Sequence, residues 1–227
     1  MSLILNIETT TKNCSVSLSN QGNILAIKEL NDGNYSHGEK LHLFIEDVFK
    51  SVHKTINEID AVAVSKGPGS YTGLRIGVST AKGLCFSLDK PLISISTLKS
   101  LANAIVVEKD AIIVPLLDAR RMEVYSAIFD HNYNQLREIQ AEIINEHSFV
   151  DFLNKSKVYF LGDGAEKCKT IIKHKNAIFI DNLFPSSKQM AKLSYDKYKK
   201  NDIEDVAYFE PFYLKDFLVT KSKKKIL

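Results

Sequence analysis

The residues with the clearest capacity for chemistry form a glycine- and proline-rich turn between a strand-like run and a helix-like run, SKGPGSYTGLRIGVSTAKGLC at residues 65–85. Backbone N–H groups at the start of a helix attract anions, and glycine lets a phosphate oxygen approach the backbone closely. The turn lacks the G-x-x-x-x-G-K-[ST] pattern of a P-loop, however, and Gly67, Gly69 and Gly73 are spaced too widely for G-x-G-x-x-G. The pattern therefore matches a phosphate cradle only in part.

A second interpretation of the same segment is close helix packing. Gly73, Gly77 and Ala81 are four residues apart, so they share one helical face. Each glycine inside a helix costs about 1 kcal/mol relative to alanine, so two of them need a structural reason. Close approach of a neighbouring helix, from this chain or from a partner, supplies that reason, and we favour packing over phosphate contact.

Two acids end strand-like runs in the two halves of the chain, Glu8 in NIETTTKN and Asp118 in LLDARRME. If the two hairpins face each other, a nucleotide could lie between these carboxylates. Neither hairpin tip contains the glycine that close approach of phosphate usually requires. A further glycine-containing turn, LGDGAEKC, carries Asp163 near a predicted helix N-cap, where its charge repels phosphate. These features weigh against an active ATPase. The alternative, which the two acids would support, is a nucleotide-dependent small-molecule kinase.

Metal and disulfide chemistry have little support in the sequence. His37 and His42 are five residues apart, which places them about 140° apart on a helix, and neither H-E-x-x-H nor H-x-x-x-H occurs. Cys14, Cys85 and Cys168 are odd in number and form no C-x-x-C pair. We therefore expect no metal site, no cofactor and no disulfide framework.

The elements that must position these residues occur in the same order twice. Three strand-like runs precede an amphipathic helix whose apolar residues recur at spacings of three and four over residues 41–56. A strand, the helix after the glycine-rich turn, another strand and another helix follow, and the order βββαβαβα begins again near residue 112. We expect two α/β lobes, residues 1–108 and 109–227, facing across a cleft, each covering its sheet with its own helices.

Composition narrows the class of protein. The 227 residues are 44% hydrophobic and 25% charged, as is typical of a globular protein. The longest apolar runs, such as AIIVPLL at residues 111–117, are much shorter than the roughly 20 residues of a membrane-spanning helix. The N-terminal residues do not resemble a signal peptide. We therefore expect a cytoplasmic protein without membrane contact.

The net charge of +3 is distributed unevenly. Residues 186–227 contain ten lysines and six acids, so the rest of the chain carries a net charge of −1. The last residues, KSKKKIL, are typical of a solvated terminal tail, and contact with nucleic-acid phosphates is the alternative.

Several segments together resemble one known family. ILNIETTTKNCSVSL, SKGPGSYTGLRIGVSTAKGL, PLISISTL, LLDARRMEVY and EPFYLKD are similar, in content and order, to segments of the bacterial TsaB (YeaZ) proteins, and the likeness covers nearly the whole chain. The resemblance implies a duplicated actin-like, sugar-kinase-like α/β fold (ASKHA) with ribonuclease H-like lobes.

The same resemblance implies a non-catalytic subunit. Such a subunit pairs with a larger TsaD-like catalytic subunit and with a TsaE-like ATPase, and the complex forms N6-threonylcarbamoyladenosine beside the anticodon of tRNA. The tRNA is then reached through the complex, and self-association of the chain without its partner stays open. The short length and the lack of an H-x-x-x-H pair favour this subunit over its TsaD paralogue.

Family members pair through the two helices of the first lobe, which here begin near His37 and after GPGSYTG. Leu43 lies off the apolar stripe of its helix, as either a lone surface leucine or a partner contact would. By resemblance, the expected partner contacts are His37, Leu41, Leu43, Tyr71, Gly73, Leu74, Arg75, Gly77 and Val78. The sequence departs from the family at Glu8, where aspartate is more common, and in its lysine-rich tail.

Overall fold

The computed structural model describes residues 2–215 and contains the predicted order of elements twice. The first half comprises β1 (Leu3–Glu8), β2 (Cys14–Asn20), β3 (Asn23–Leu30), α1 (His37–Ser51), a 3-10 turn (Ile56–Glu58), β4 (Ala61–Gly67), α2 (Tyr71–Leu88), β5 (Leu92–Ser96) and α3 (Thr97–Ala102). The second half comprises β6 (Ile112–Asp118), β7 (Glu123–Asp130), β8 (Gln135–Ile143), α4 (Val150–Leu153), β9 (Val158–Leu161), α5 (Ala165–Lys169), β10 (Ala177–Ile180) and α6 (Ser187–Lys199). The lysine-rich end, from residue 216 onward, lies outside the described residues.

Each half forms a five-stranded mixed sheet with the same strand order. The first sheet runs β3-β2-β1-β4-β5 and the second runs β8-β7-β6-β9-β10. In the first, β1–β2 and β2–β3 are antiparallel, whereas β4 is parallel to both β1 and β5. The central strand β1 is buried along its whole length, which explains its nearly continuous apolar sequence. The predicted βββαβαβα repeat is confirmed.

One face of the first sheet is covered by α1 and α2. Leu41 and Val48 of α1, and Val78 and Cys85 of α2, belong to the same buried cluster as Leu5 of β1. The spacing of seven residues, two helical turns, places the two side chains of each pair on one side of their helix. Burying each large aliphatic side chain contributes about 1.5–3 kcal/mol, so this contact fixes both helices on the sheet.

The last helix of each half packs on the sheet of the other half. Met190 of α6 lies in one cluster with Ile4 and Ile93, on the face of the first sheet opposite to α1 and α2. Leu98 of α3 lies in a cluster with Phe129 of the second sheet. The expectation that each lobe covers its sheet with its own helices holds for α1 and α2 but is wrong for α3 and α6, because an apolar stripe predicts burial but not which sheet provides it. The boundary between residues 108 and 109 stays a prediction.

After α6 the chain continues along the first lobe as residues 204–215, which we call the terminal strap. The N–H of Glu204 donates to the carbonyl of Leu92 at the edge of the first sheet, over 2.8 Å. Further along, the N–H of Phe212 donates to the carbonyl of Lys66 over 2.7 Å. The strap therefore runs alongside α2 to the end of β4.

Burial also accounts for the cysteines. Cys14, Cys85 and Cys168 are free and buried, and burial raises the pKa of each thiol to about 12. They pack as small apolar side chains. Within residues 2–215, no helix has the length and apolar character needed to cross a membrane.

Candidate functional site

Glu8, the acid at the end of β1, is fully enclosed by its own chain. Its carboxylate accepts hydrogen bonds from the hydroxyl of Ser65 and from the backbone N–H of Thr10, the latter over 2.7 Å, and the Thr10 hydroxyl donates to it as well. Burial raises the pKa of Glu8, and the hydrogen bonds from Ser65 and Thr10 oppose that rise. One carboxylate oxygen thus holds the hairpin that follows β1, and the other accepts from Ser65 of β4.

Asp118, the acid at the end of β6, has a different environment. It is exposed, and its Oδ1 accepts hydrogen bonds from the N–H of Arg120 over 2.9 Å and from Lys167 Nζ over 2.5 Å. The N–H of Asp118 donates to Asp163 over 3.0 Å, and burial raises the pKa of Asp163 to about 6. Glu8 and Asp118 thus each bond to groups of their own lobe. Over residues 2–215, no cluster of three His, Cys, Asp or Glu side chains is suited to a metal ion.

The N-terminus of α2, the predicted anion cradle, is filled by the hairpin between β1 and β2. The N–H of Ser70 donates to the carbonyl of Thr10 over 2.7 Å. A Cβ at Gly69 would lie 2.6 Å from that same carbonyl oxygen. The hydroxyl of Thr9 donates to the carbonyl of Gly73 over 2.8 Å. The Ser70 N–H and the space beside Gly69, which a bound phosphate would use, are therefore taken by the carbonyl group of Thr10.

The glycine face of α2 receives the same hairpin, not a neighbouring helix. A Cβ at Gly73 would lie 2.0 Å from the carbonyl oxygen of Thr9, and a Cβ at Gly77 would lie 2.3 Å from the Thr9 hydroxyl. The prediction that these glycines permit close backbone packing is supported, but the expectation of a helix as the neighbour is wrong. Glycine spacing indicates a close approach without identifying the element that approaches.

Six of the nine expected partner contacts are buried inside this chain: His37, Leu41, Gly73, Leu74, Gly77 and Val78. His37 illustrates the reason, since its Nε2–H donates to the carbonyl of Thr11 over 2.7 Å and its ring is enclosed. Burial accordingly lowers the pKa of His37. In the isolated chain these six residues support the helices from within, and their assignment as partner contacts stays a prediction. Leu43, 52% exposed, and the accessible Tyr71 and Arg75 stay predicted contacts.

The terminal strap covers one side of α2, which the sequence did not predict. The ring centroids of Tyr71 and Tyr213 are 4.9 Å apart, and the guanidinium carbon of Arg75 lies 4.2 Å from the Tyr71 centroid. A hydrogen bond to Tyr213 raises the pKa of Arg75. Further along α2, Lys82 Nζ donates to the carbonyl of Phe209 over 2.9 Å. EPFYLKD was part of the family resemblance, which indicated that the segment matters. Its position against α2 depends on contacts between residues far apart in the sequence.

Another side of α2 is left open and uncharged. Thr72, Ile76, Ser79, Gly83 and Phe86 recur at spacings of four and three, so they form one helical stripe, the outer α2 stripe. Phe86 is 86% exposed, and no atom of residues 2–215 lies within 4 Å of a Cβ built at Gly83. An exposed aromatic residue beside an open glycine in mid-helix is typical of a surface that another backbone approaches. Spacing alone could have identified this stripe.

The repeated meander with two parallel strands, found in both sheets, defines an α/β protein of the actin-like, sugar-kinase-like class. At the first lobe, the hairpin closes over the start of α2, which leaves the outer face of that helix accessible.

Comparison with known proteins agrees with that class. The model of the family described as TsaD, tRNA N6-adenosine threonylcarbamoyltransferase, matches residues 32–221. The tRNA threonylcarbamoyladenosine biosynthesis protein TsaB of Escherichia coli K12 is 29% identical over 96% of both chains. TsaB of Buchnera aphidicola subsp. Baizongia pistaciae is 31% identical over 84% of this chain and 87% of that protein. The structure of YeaZ from Pseudomonas aeruginosa, 22% identical, covers 94% of this chain and all of that one with a TM-score of 0.77. The chain therefore belongs to this threonylcarbamoyltransferase-related family, in its TsaB (YeaZ) branch.

Proposed function

We propose that this chain is a non-catalytic subunit that supports a TsaD-like threonylcarbamoyltransferase in forming N6-threonylcarbamoyladenosine beside the anticodon of tRNA. Family membership and the names of its relatives support a role in biosynthesis of this modified nucleoside. A TsaE-like ATPase is the second proposed partner, and the tRNA is reached through the complex.

The observation that carries the non-catalytic role is the filled N-terminus of α2. The Ser70 N–H and the space beside Gly69 are taken by Thr10, and Glu8 directs both oxygens to groups of its own chain. A phosphate could enter only if the hairpin between β1 and β2 withdrew from α2. That movement would leave the buried Glu8 carboxylate without its hydrogen-bond donor Thr10, which is energetically costly.

The outer α2 stripe supports partner binding at this lobe. It carries no charged side chain, and Phe86 offers a large apolar surface that water covers in the isolated chain. Gly83 lets a partner backbone approach closely. We propose that the TsaD-like subunit contacts this stripe together with Leu43 of α1. In the absence of that partner, we propose that two copies of this chain form a homodimer through the same stripe.

The test is reconstitution with unmodified tRNA, threonine, bicarbonate and ATP, followed by mass spectrometry of the digested nucleosides. The chain alone should form no N6-threonylcarbamoyladenosine, whereas adding it to TsaD-like and TsaE-like proteins, with the enzyme that activates threonine, should raise the yield at least about tenfold, the effect of roughly 1.4 kcal/mol. Product formation by the chain alone, or ATP-dependent phosphoryl transfer from it to a small molecule, would instead support the alternative kinase.

A matched pair of variants tests the partner surface. Gly83→Arg introduces a long charged side chain at a position where the described part of the chain has no atom within 4 Å, so the chain should fold while association with the TsaD-like subunit weakens. Asn154→Arg introduces the same side chain at an exposed position of the second lobe and should leave association unchanged. Calorimetric titration measures both, and equal affinities for the two variants would contradict this surface.

A further inference from the structure

A row of lysines on α6 takes part neither in the core nor in the proposed partner surface. Lys188, Lys192 and Lys199 are exposed, and their spacings of four and seven residues place them on one side of the helix. At 1.5 Å per residue they extend over about 16 Å. The side of α6 that faces the first sheet carries the buried Met190 and Ser194. We call the three exposed residues the α6 lysine row.

Most of the charge of this row is not neutralised within the fold. Asp196 lies 3.2 Å from Lys199, so one of the three positive charges is partly compensated. Within residues 2–215, Lys188 and Lys192 form no ion pair shorter than 4.0 Å. A linear array of accessible ammonium groups favours a polyanion whose charges repeat along a line.

Aromatic surface lies directly beside the row. A groove of about 730 Å³ next to the C-terminal half of α6 is lined by Tyr195, Tyr198 and Lys199, among others. Lys199 Nζ lies 4.5 Å from the centroid of the Tyr195 ring. Asp60 and Asp89 also line the groove, so a phosphate would be repelled there and directed to the row. Cations next to aromatic rings are the features that hold unpaired nucleotides.

The surroundings favour a nucleic acid over an anionic membrane. A helix that lies on a membrane inserts large apolar side chains between the lipids while its lysines contact the headgroups. Among the large apolar side chains exposed in residues 2–215, none belongs to α6, and Ile203 is the nearest in sequence. The α6 lysine row therefore has the charge for a phosphate backbone but not the apolar surface for insertion.

We propose that the α6 lysine row binds the phosphodiester backbone of RNA, with Lys188, Lys192 and Lys199 each contacting a phosphate. The choice of tRNA as that RNA rests on the proposed function, whereas the affinity for an RNA backbone rests on the row itself. This chain would thereby contact tRNA directly and on the face of the first sheet opposite to α1 and α2.

The experiment titrates the full chain into fluorescently labelled, unmodified tRNA at several salt concentrations and measures anisotropy. The variant K188Q/K192Q/K199Q should bind about tenfold more weakly near 0.1 M salt, and the slope of log K against log salt should become shallower by about 2, since three phosphate contacts are lost. The matched control K109Q/K155Q/K175Q removes the same charge from exposed positions before β6, β9 and β10 and should stay within about twofold of wild type.

Three results would overturn the proposal. Equal weakening of both triple variants would mean that net charge alone matters, and unchanged affinity of the α6 variant would mean that other lysines, including those after residue 215, carry the binding. Tighter binding to phosphatidylserine vesicles than to tRNA would indicate a membrane. If the α6 triple variant melts below wild type, the single variant Lys192→Gln, expected to lose about threefold, replaces it.

The proposed function and this inference are tested independently, and either can be wrong while the other is right. The α6 triple variant should still associate with a TsaD-like protein, because the outer α2 stripe is unchanged. If wild type binds RNA through the row but does not associate with a TsaD-like protein, the lysine row stands and the partner assignment fails. If the chain associates with a TsaD-like protein but the lysine row does not affect RNA binding, the partner assignment stands and the lysine-row proposal fails.

Discussion

Two hairpins occupy the same place in the two sheets but have opposite surroundings. At the tip between β1 and β2, Thr9, Thr10 and Thr11 are only 1–3% exposed. At the tip between β6 and β7, Arg120 and Arg121 are exposed and have left-handed φ values of 70° and 51°. The comparison shows that the duplication preserved strand order, while only the first tip became part of the core.

The difference between the tips accompanies a difference in what the glycines of each lobe contact. In the first lobe, Gly73 and Gly77 receive Thr9 of the hairpin tip. In the second lobe, a Cβ at Gly162 would lie 2.2 Å from the carbonyl oxygen of Leu116, within the strand β6 itself. The second turn therefore packs on the strand and leaves its hairpin tip free.

The largest effect is expected where the first hairpin meets α2. In Gly73→Ala the new Cβ would lie 2.0 Å from the carbonyl oxygen of Thr9, so the hairpin must move, and we expect a loss of about 3 kcal/mol or more in the free energy of unfolding. Gly83→Ala on the same helix adds a Cβ in open space and should gain up to about 1 kcal/mol. Urea unfolding followed by circular dichroism measures both, and losses of similar size would contradict the assignment of the hairpin contact.

The two strand-end acids should differ almost as much. Glu8→Ala leaves the Ser65 hydroxyl and the Thr10 N–H without their buried acceptor, and we expect a loss of about 2–3 kcal/mol in unfolding free energy. Asp118→Ala removes an exposed acceptor and should lose less than about 1 kcal/mol. The same urea titration compares them; a larger loss at Asp118 would mean that the second hairpin is the more tightly held.

Asp163 should make stability depend on pH beside the second hairpin. The pKa of Asp163 is raised from 3.8 to about 6. Between these two pH values the carboxyl group is protonated in the folded chain but ionised in the unfolded chain. The stabilisation from this group is present below pH 4 and is lost as the pH rises through 6. Asp163→Asn removes this dependence, so its stability relative to wild type should rise by about 1–3 kcal/mol between pH 4 and pH 7. Thermal melts across that range test the sign, and a difference that is constant with pH would contradict it.

The smallest effect concerns backbone strain at the tips. Arg121 has a φ of 51°, a conformation that disfavours residues with a Cβ, so Arg121→Gly should gain about 0.5–1 kcal/mol. Lys12 at the first tip is exposed and lies outside the left-handed region, so Lys12→Gly should lose a similar amount. If the melting temperatures of both variants shift in the same direction, the two tips do not differ in backbone strain.

The sequence predicted what depends on local patterns. The recurrence of Leu41, Ile45 and Val48 predicted α1, and the same spacing placed Leu43 outside the buried stripe, where it is 52% exposed. The order of strands and helices in both halves followed from such patterns and from turn residues. The family resemblance, which the comparisons confirm, came from long segments whose order is specific.

The remainder depended on contacts between distant segments. Glycine spacing on α2 indicated a close neighbour, but only the folded chain identifies Thr9, some sixty residues earlier, as that neighbour. Resemblance assigned His37 to a partner surface, whereas its bond to Thr11 encloses it. Tyr213 and the rest of the terminal strap carry no helical or strand period that would have placed them on α2.

The exchange of α3 and α6 between the sheets determines how the molecule can be divided. A polypeptide ending at residue 108 would have no Met190 to shield Ile4 and Ile93 from water, and the complementary piece would lack Leu98 beside Phe129. Each fragment would thus display a bare apolar sheet face and would aggregate unless the two were synthesised together. The two halves of the duplicated fold therefore depend on each other for folding and cannot be separated into two stable polypeptides.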